Sequence, residues 1–333
     1  MLIRRLLLAL SCLVATHAAA AGVSVIEVPA DREGPALRGL VWTPCASPSA
    51  DVKLGPRVIP GVRDCPVAGR QSPLIVVSHG YGGSYLGHHD TAEVLADAGF
   101  IVAAIDHSGD NHRLRGGPDD TLSALATRTV DIRRLIDYML LRWDAREHLA
   151  AAQVGFFGFS RGGYTGLVLA GASPDFERLA SLPSSPCATA PESPACAHMH
   201  AGLQALLALP LARDGRIKAA VIADPFSVVF DARGLKGVAV PIQLWASEHG
   251  GDGVAPADVD AVRRALSPSP DWHVARKAAH FAFLAPCPPA QIEANAEICR
   301  DAADFDRQAF HADFDAQVLA FFRHQLGAFV RAD

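Results

Sequence analysis

The chain has 333 residues, half of them hydrophobic and a fifth charged, the composition of a globular protein and not of a disordered or fibrous one. Its formal net charge of −5 supplies no basic field that would steer it toward nucleic acid or anionic lipid, so small neutral partners are the expectation.

Arg4 and Arg5 precede the apolar run Leu6 to Val14 and the small-residue patch Ala18 to Ala21. Positive charge, a short apolar core and small residues, in that order, predict an export leader over 1–21, cleaved near Ala20 or Ala21. Lipid anchoring at Cys12 is the minor reading, because Ala9-Leu10-Ser11 fits such a signal poorly. The run is too short for a stable membrane span, and no later segment is apolar for long enough. The protein is therefore expected to be exported, periplasmic or secreted, as one domain over 22–333.

Val23 to Val28 and Leu37 to Trp42 read as two strands, an antiparallel edge, and the Pro-, Gly- and Ser-rich stretch from Cys45 to Cys65 as a surface loop. Short apolar runs follow: Leu74 to Val77, Phe100 to Ile105, Val154 to Phe157, Ala219 to Ala223 and Val240 to Trp245. They are nearly continuous instead of alternating, as in parallel strands buried on both faces. Amphipathic patterns separate them. Between Thr121 and Trp143, for example, Leu122, Leu125, Val130, Ile132, Leu135, Ile136, Met139 and Leu140 recur at three- and four-residue steps. The alternation predicts an α/β fold: a doubly wound, mostly parallel sheet with helices on both faces. Residues 174–213 interrupt it with Pro, Ser and Cys, and read either as a lid-like insertion or as a surface excursion. Phe305 to Val330 reads as a terminal helix.

Setting aside Cys12, six cysteines remain, an even number that suggests three disulfides in an oxidising compartment. They fall as local pairs, so Cys45–Cys65, Cys187–Cys196 and Cys287–Cys299 is the economical pairing. Each would close a loop of roughly 10–20 residues, worth about 3 kcal/mol in the chain-entropy model. The same pairing disfavours a metal site at Cys196, His198 and His200. His88, His89 and Asp90, or His107 and His112, have no metal-ligand spacing either.

The chemistry centres on Gly158-Phe159-Ser160-Arg161-Gly162, a G-x-S-x-G pentad placed directly between the strand ending at Phe157 and an apolar helix from Tyr164 to Ala170. So sharp a strand-to-helix turn forces the central residue into strained φ/ψ and needs glycines where other backbone comes close. It would lift the Ser160 hydroxyl to a helix N-terminus, where developing negative charge is favoured. This context resembles the α/β-hydrolase fold. The resemblance implies that the loop after the Leu74–Val77 strand, Ser78-His79-Gly80-Tyr81-Gly82-Gly83-Ser84, supplies one oxyanion-hole amide and the residue after the nucleophile the other. Here those are the backbone N–H groups of Tyr81 and Arg161, each worth about 3 kcal/mol of barrier reduction.

A serine hydroxyl needs a base, and the base an orienting acid. Of the later histidines, His273 lies in a last strand read over Trp272 to Lys277, His311 and His324 in the terminal helix, and His249 follows another strand, too early for the Ser…Asp…His order. His280, just after the last strand, is the choice. For the acid, Asp224 ends the strand after the pentad strand and is preferred; Asp252, and then Glu248, follow the next strand and stay as alternatives.

At these residues the chain is similar to bacterial dienelactone-hydrolase-like proteins and, more distantly, to platelet-activating-factor acetylhydrolases. The motifs concerned are S-H-G-Y-G-G, G-F-S-R-G-G, A-D-P ending at Pro225, W-A-S-E ending at Glu248 and A-H-F-A-F-L-A-P-C-P ending at Pro288. In the acetylhydrolases the acid follows the strand after the elbow strand, which supports Asp224. True dienelactone hydrolases use cysteine where this chain has Ser160. The expected activity is hydrolysis of a small or lipid-like carboxylic ester through an acyl-enzyme, with no cofactor and no metal. Two other readings are a serine peptidase or amidase on the same fold, and a non-catalytic binding protein that keeps the fold.

Overall fold

The computed structural model describes residues 20–55, 57–117 and 121–327. The leader expected over 1–21 lies outside these residues except for Ala20 and Ala21, which open the first strand opposite Cys45 and Pro44.

The β-branched and aromatic runs form strands β1 (Ala20–Val28), β2 (Leu37–Cys45), β3 (Ala50–Leu54), β4 (Arg57–Arg63), β5 (Ser72–Ser78), β6 (Ile101–Ile105), β7 (Leu149–Phe159), β8 (Ile217–Ala223), β9 (Ile242–Ser247) and β10 (Asp271–Ala275). The helices are α1 (His89–Asp97), α2 (Ala124–Leu141), α3 (Arg161–Leu169), α4 (Pro186–Thr189), α5 (Pro194–Leu207), α6 (Pro256–Ala265), α7 (Ala296–Cys299) and α8 (Arg307–Leu326). The strands form one sheet in the order β10-β9-β8-β7-β5-β6-β2-β1-β4-β3. From β10 to β6 every neighbouring pair is parallel, and β2 joins β6 antiparallel.

Alternate residues of the parallel strands enter opposite cores, because side chains point to the two faces in turn. Leu74 and Val76 pack with Leu135, Met139, Leu167 and Val259, under α2, α3 and α6. Ile75 and Val77 pack with Leu95, Phe314, Val318 and Phe322, under α1 and α8. Both faces are thus covered, which is why these strands read as unbroken apolar runs.

One sequence reading is corrected. The Cys45–Cys65 stretch is not a plain loop: β3 and β4 form an antiparallel hairpin that extends the sheet beyond β1. Its apolar content is small but well spaced, and Val52 and Ile59, paired in register, both bury on one side. Pro60 and Gly61, part of what argued for a loop, lie in β4 opposite Asp51 and Ala50 of β3. The antiparallel pair β1–β2 therefore lies inside the sheet and not at its edge.

The three disulfides join Cys45–Cys65, Cys187–Cys196 and Cys287–Cys299. The first ties the edge hairpin to the end of β2 across a separation of 20 residues. A Cys45→Ala/Cys65→Ala variant is expected to lose about 3 kcal/mol of unfolding free energy, read from urea unfolding curves against the intact protein. Within residues 174–213, α5 packs on α4 and α2, with Gly202 facing Leu122.

The chain runs from β5 outward to β6, then returns past β5 to β7 on its other side. The connections after β5 and β7 therefore diverge and leave a crevice beyond their carboxyl ends. In open α/β sheets that switch point is where ligands bind.

Candidate active site

Ser160 sits at the switch point, between the end of β7 and the first turn of α3. Its backbone has φ 55° and ψ −118°, a left-handed φ that costs a non-glycine residue of order 1–3 kcal/mol. The surroundings hold it there. Ser160 N–H donates to Ala223 O at 3.0 Å, and Ser160 O accepts from Phe226 N and Tyr164 N, each at 3.0 Å. The glycines of the pentad are required by space: a Cβ on Gly158 would lie 2.3 Å from Gly162 O, and one on Gly162 1.9 Å from Ser78 O.

These bonds also bring Asp224 alongside, since it follows Ala223 at the end of β8. Asp224 is fully buried and accepts three hydrogen bonds: Ser247 N–H to Oδ1 at 2.8 Å, Ser247 Oγ–H to Oδ2 at 2.7 Å, and His280 Nδ1–H to Oδ2 at 2.7 Å. An acceptor at Nδ1 selects the tautomer that leaves the Nε2 lone pair available. His280 Nε2 is buried and has no hydrogen-bond partner among the described residues, Ser160 Oγ included. The imidazole lies tilted against the ring of Phe159, the residue before the serine, with ring centroids 4.6 Å apart.

The short helical turn His280–Phe283 is anchored from below. His280 N–H donates to Gly250 O at 2.8 Å, so the His249-Gly250-Gly251 segment supports the histidine. His88 Nδ1–H donates to Phe283 O at 3.1 Å and His311 Nε2–H to Ala282 O at 2.8 Å. Burial pushes His88 down to about 4, so it is neutral at ordinary pH. Burial would depress His311 too, but the Asp90 carboxylate 2.7 Å away outweighs it and raises the imidazole.

The rival acids point elsewhere. Glu248 accepts from Lys277 N–H at 2.7 Å and from Arg276 at 3.2 Å. Asp252 is exposed in the turn closed between Gly251 and Val254. His273 stacks on Trp245 at 4.3 Å, and His324 lies on α8.

The loop after β5 passes beside the elbow: a Cβ on Gly80 would lie 3.2 Å from Ser160 Cβ. Tyr81 and Arg161, read as the two oxyanion donors, are neighbours, with the Arg161 guanidinium 4.1 Å from the Tyr81 ring centroid. Arg161 opens α3, and the first N–H groups of a helix have no intrahelical acceptor. Cys187 and Cys196, near His200, are joined as a disulfide, and their oxidised sulfurs are not thiolate ligands.

Ser247 escaped the sequence reading. Its signal is a polar residue closing the apolar strand β9, fully buried beside Asp224. Ser247→Ala removes one of the two bonds to Oδ2 and is expected to lower kcat/KM for a short p-nitrophenyl ester about tenfold, the equivalent of a hydrogen bond to a charged group. A steady-state comparison at fixed pH checks it.

Among known proteins, the chain matches the alpha/beta hydrolase fold family over residues 73–203. It is similar in structure to a ferulic acid esterase from Streptomyces cinnamoneus, at 18% identity and TM-score 0.58 over 92% of this chain and 90% of that one. It is also similar to an esterase from Pyrococcus furiosus, at 12% identity and TM-score 0.51 over 92% of this chain and 93% of that one. No curated protein matches it in sequence. At these identities the likeness is one of fold. Strand order, family match and structural likeness agree on that point: the chain has the α/β-hydrolase fold.

Proposed function

We propose that the protein hydrolyses carboxylic esters through an acyl-enzyme formed on Ser160, with His280 as base and Asp224 as its orienting acid. The observation that carries this reading is the buried His280–Asp224 pair at 2.7 Å, held beside a serine in strained backbone at the switch point. Ser160 Oγ attacks the ester carbonyl while its proton passes to His280 Nε2. The resulting oxyanion is held by the Tyr81 and Arg161 amides. Collapse expels the alcohol, which takes the proton from His280, and water activated by the same imidazole releases the acid.

The substrate classes to compare are short acyl esters, as the acetylhydrolase resemblance suggests, and feruloyl esters, as the Streptomyces cinnamoneus protein suggests. Matched amides separate an esterase from an amidase or peptidase. Export through cleavage of 1–21 fits the three disulfides and is read by N-terminal sequencing of protein recovered outside the cytoplasm.

The deciding experiment is labelling with a fluorophosphonate, followed by peptide mass mapping. The expected adduct is on Ser160, formed more slowly in the presence of a turned-over ester. A purified, folded protein that is neither labelled nor active on any ester in the panel would be a binding module instead.

A further inference from the structure

Arg128, on α2, has no exposed surface. A buried guanidinium is costly unless its N–H groups are matched, and its partners are informative. Nη1 donates to Asp110 Oδ2 at 2.8 Å and Nε to Thr165 Oγ at 3.2 Å. Nη2 donates to Ser78 Oγ at 3.2 Å and to His79 O. Asp110, also buried, accepts Gly82 N–H at 2.8 Å on Oδ1 and Arg161 Nη1–H at 3.2 Å on Oδ2. Thr165 Oγ–H in turn donates to Arg161 O at 2.8 Å.

The pair thus grips the chain at His79 O and Gly82 N, the two ends of the Gly80-Tyr81 segment. It also grips Arg161 twice, by its side chain and, through Thr165, by its carbonyl. Burial would raise Asp110, but Arg128 and Arg161 together hold it well below the usual carboxylate range. Burial, with Arg128 nearby, pushes the neighbouring His79 and His107 well down.

We propose that Arg128 and Asp110 are positioning residues for the oxyanion hole, fixing the Tyr81 loop and the first turn of α3 in one register so that their two amides converge on a single point. The proposal rests on the ester-hydrolase reading. Neither side chain contacts the reacting atoms. A role confined to fold stability would lower the thermal transition and leave the folded enzyme's rate intact. A positioning role acts on the transition state, where the charge on oxygen appears.

The experiment uses Asp110→Asn, Arg128→Lys and Thr165→Val in the full mature protein, at a temperature well below each variant's transition. It measures kcat and KM for p-nitrophenyl butyrate and the inhibition constant of a trifluoromethyl ketone, whose hemiketal places an oxyanion in the hole. Asp110→Asn is expected to lower kcat about 100-fold, the effect of losing one oxyanion donor, and to weaken the ketone by a similar factor while KM moves less than about threefold. Arg128→Lys keeps the charge but loses the fork and is expected to behave alike; if it does not fold, Asp110→Asn and Thr165→Val decide. Folded variants whose kcat and ketone affinity stay within about threefold of the parent overturn the proposal. Wild-type protein that fluorophosphonate does not label overturns the ester-hydrolase reading, and this inference with it.

Discussion

Ser160→Ala is expected to lower kcat for p-nitrophenyl butyrate about 10⁶-fold, the loss that follows removal of the nucleophile from a serine hydrolase. The residual rate would be that of bound substrate attacked by water, still assisted by the oxyanion amides. Stability should barely change. The backbone bonds that hold residue 160, to Ala223 O and from Phe226 and Tyr164 N–H, do not involve the hydroxyl, and alanine meets the same left-handed strain as serine. A shift of the thermal transition by no more than about 3 °C is expected. A pure preparation that keeps more than a percent or so of the parent rate would remove Ser160 from the mechanism.

Asp224→Asn has the second-largest expected effect, about 10⁴-fold in kcat. The reason lies in what each oxygen accepts. Oδ2 takes His280 Nδ1–H and Ser247 Oγ–H, and Oδ1 takes Ser247 N–H. An amide offers one acceptor oxygen and one NH2 group that only donates. Turned with its NH2 toward His280, it forces the proton onto Nε2 and removes the base. Turned the other way, the NH2 confronts Ser247 N–H, leaving two donors face to face at full burial, at a cost of roughly 1–3 kcal/mol. Asp252→Asn and Glu248→Gln should each stay within about threefold of the parent, because those carboxylates face solvent, Lys277 and Arg276. Steady-state rates for the three variants, with fluorophosphonate labelling as an independent readout, check the ranking. A large loss in Asp252→Asn with Asp224→Asn near wild type would reassign the acid.

Much of the architecture was legible in the chain itself. The parallel strands read correctly because burial on both faces demands unbroken apolar runs such as Leu74 to Val77 and Phe100 to Ile105. The elbow read as a turn because glycines at 158 and 162, with a strand before and a helix after, leave few other conformations. The cysteines paired as expected because short separations within one stretch favour local closure. The hairpin β3–β4 was missed: Val52 and Ile59 carry its apolar signal almost alone, and the prolines and glycines around them are also what a loop contains.

The site was legible only in part, for a reason of range. Ser160 is defined by its immediate neighbours, and His280 by elimination of histidines committed to strand or helix and of His249, which comes too early in chain order. Asp224 was preferred from its place at the end of the strand after the pentad strand, with Asp252 and Glu248 left as alternatives. That Asp224 is the carboxylate against His280 depends on a contact between residues 56 positions apart, which no local spacing encodes. Ser247 in β9, Arg128 in α2 and Asp110 in the loop after β6 drew no notice because a buried polar residue has no signature until its partner is known.

Residue order alone, then, determined the parallel strands, the helices between them and where the strained serine must sit, since those outcomes depend on periodicity and local sterics over a few residues. Only the tertiary structure decided which carboxylate meets the imidazole and what stands behind the loop of Tyr81, because sheet order, not sequence distance, sets which chain ends converge at the switch point.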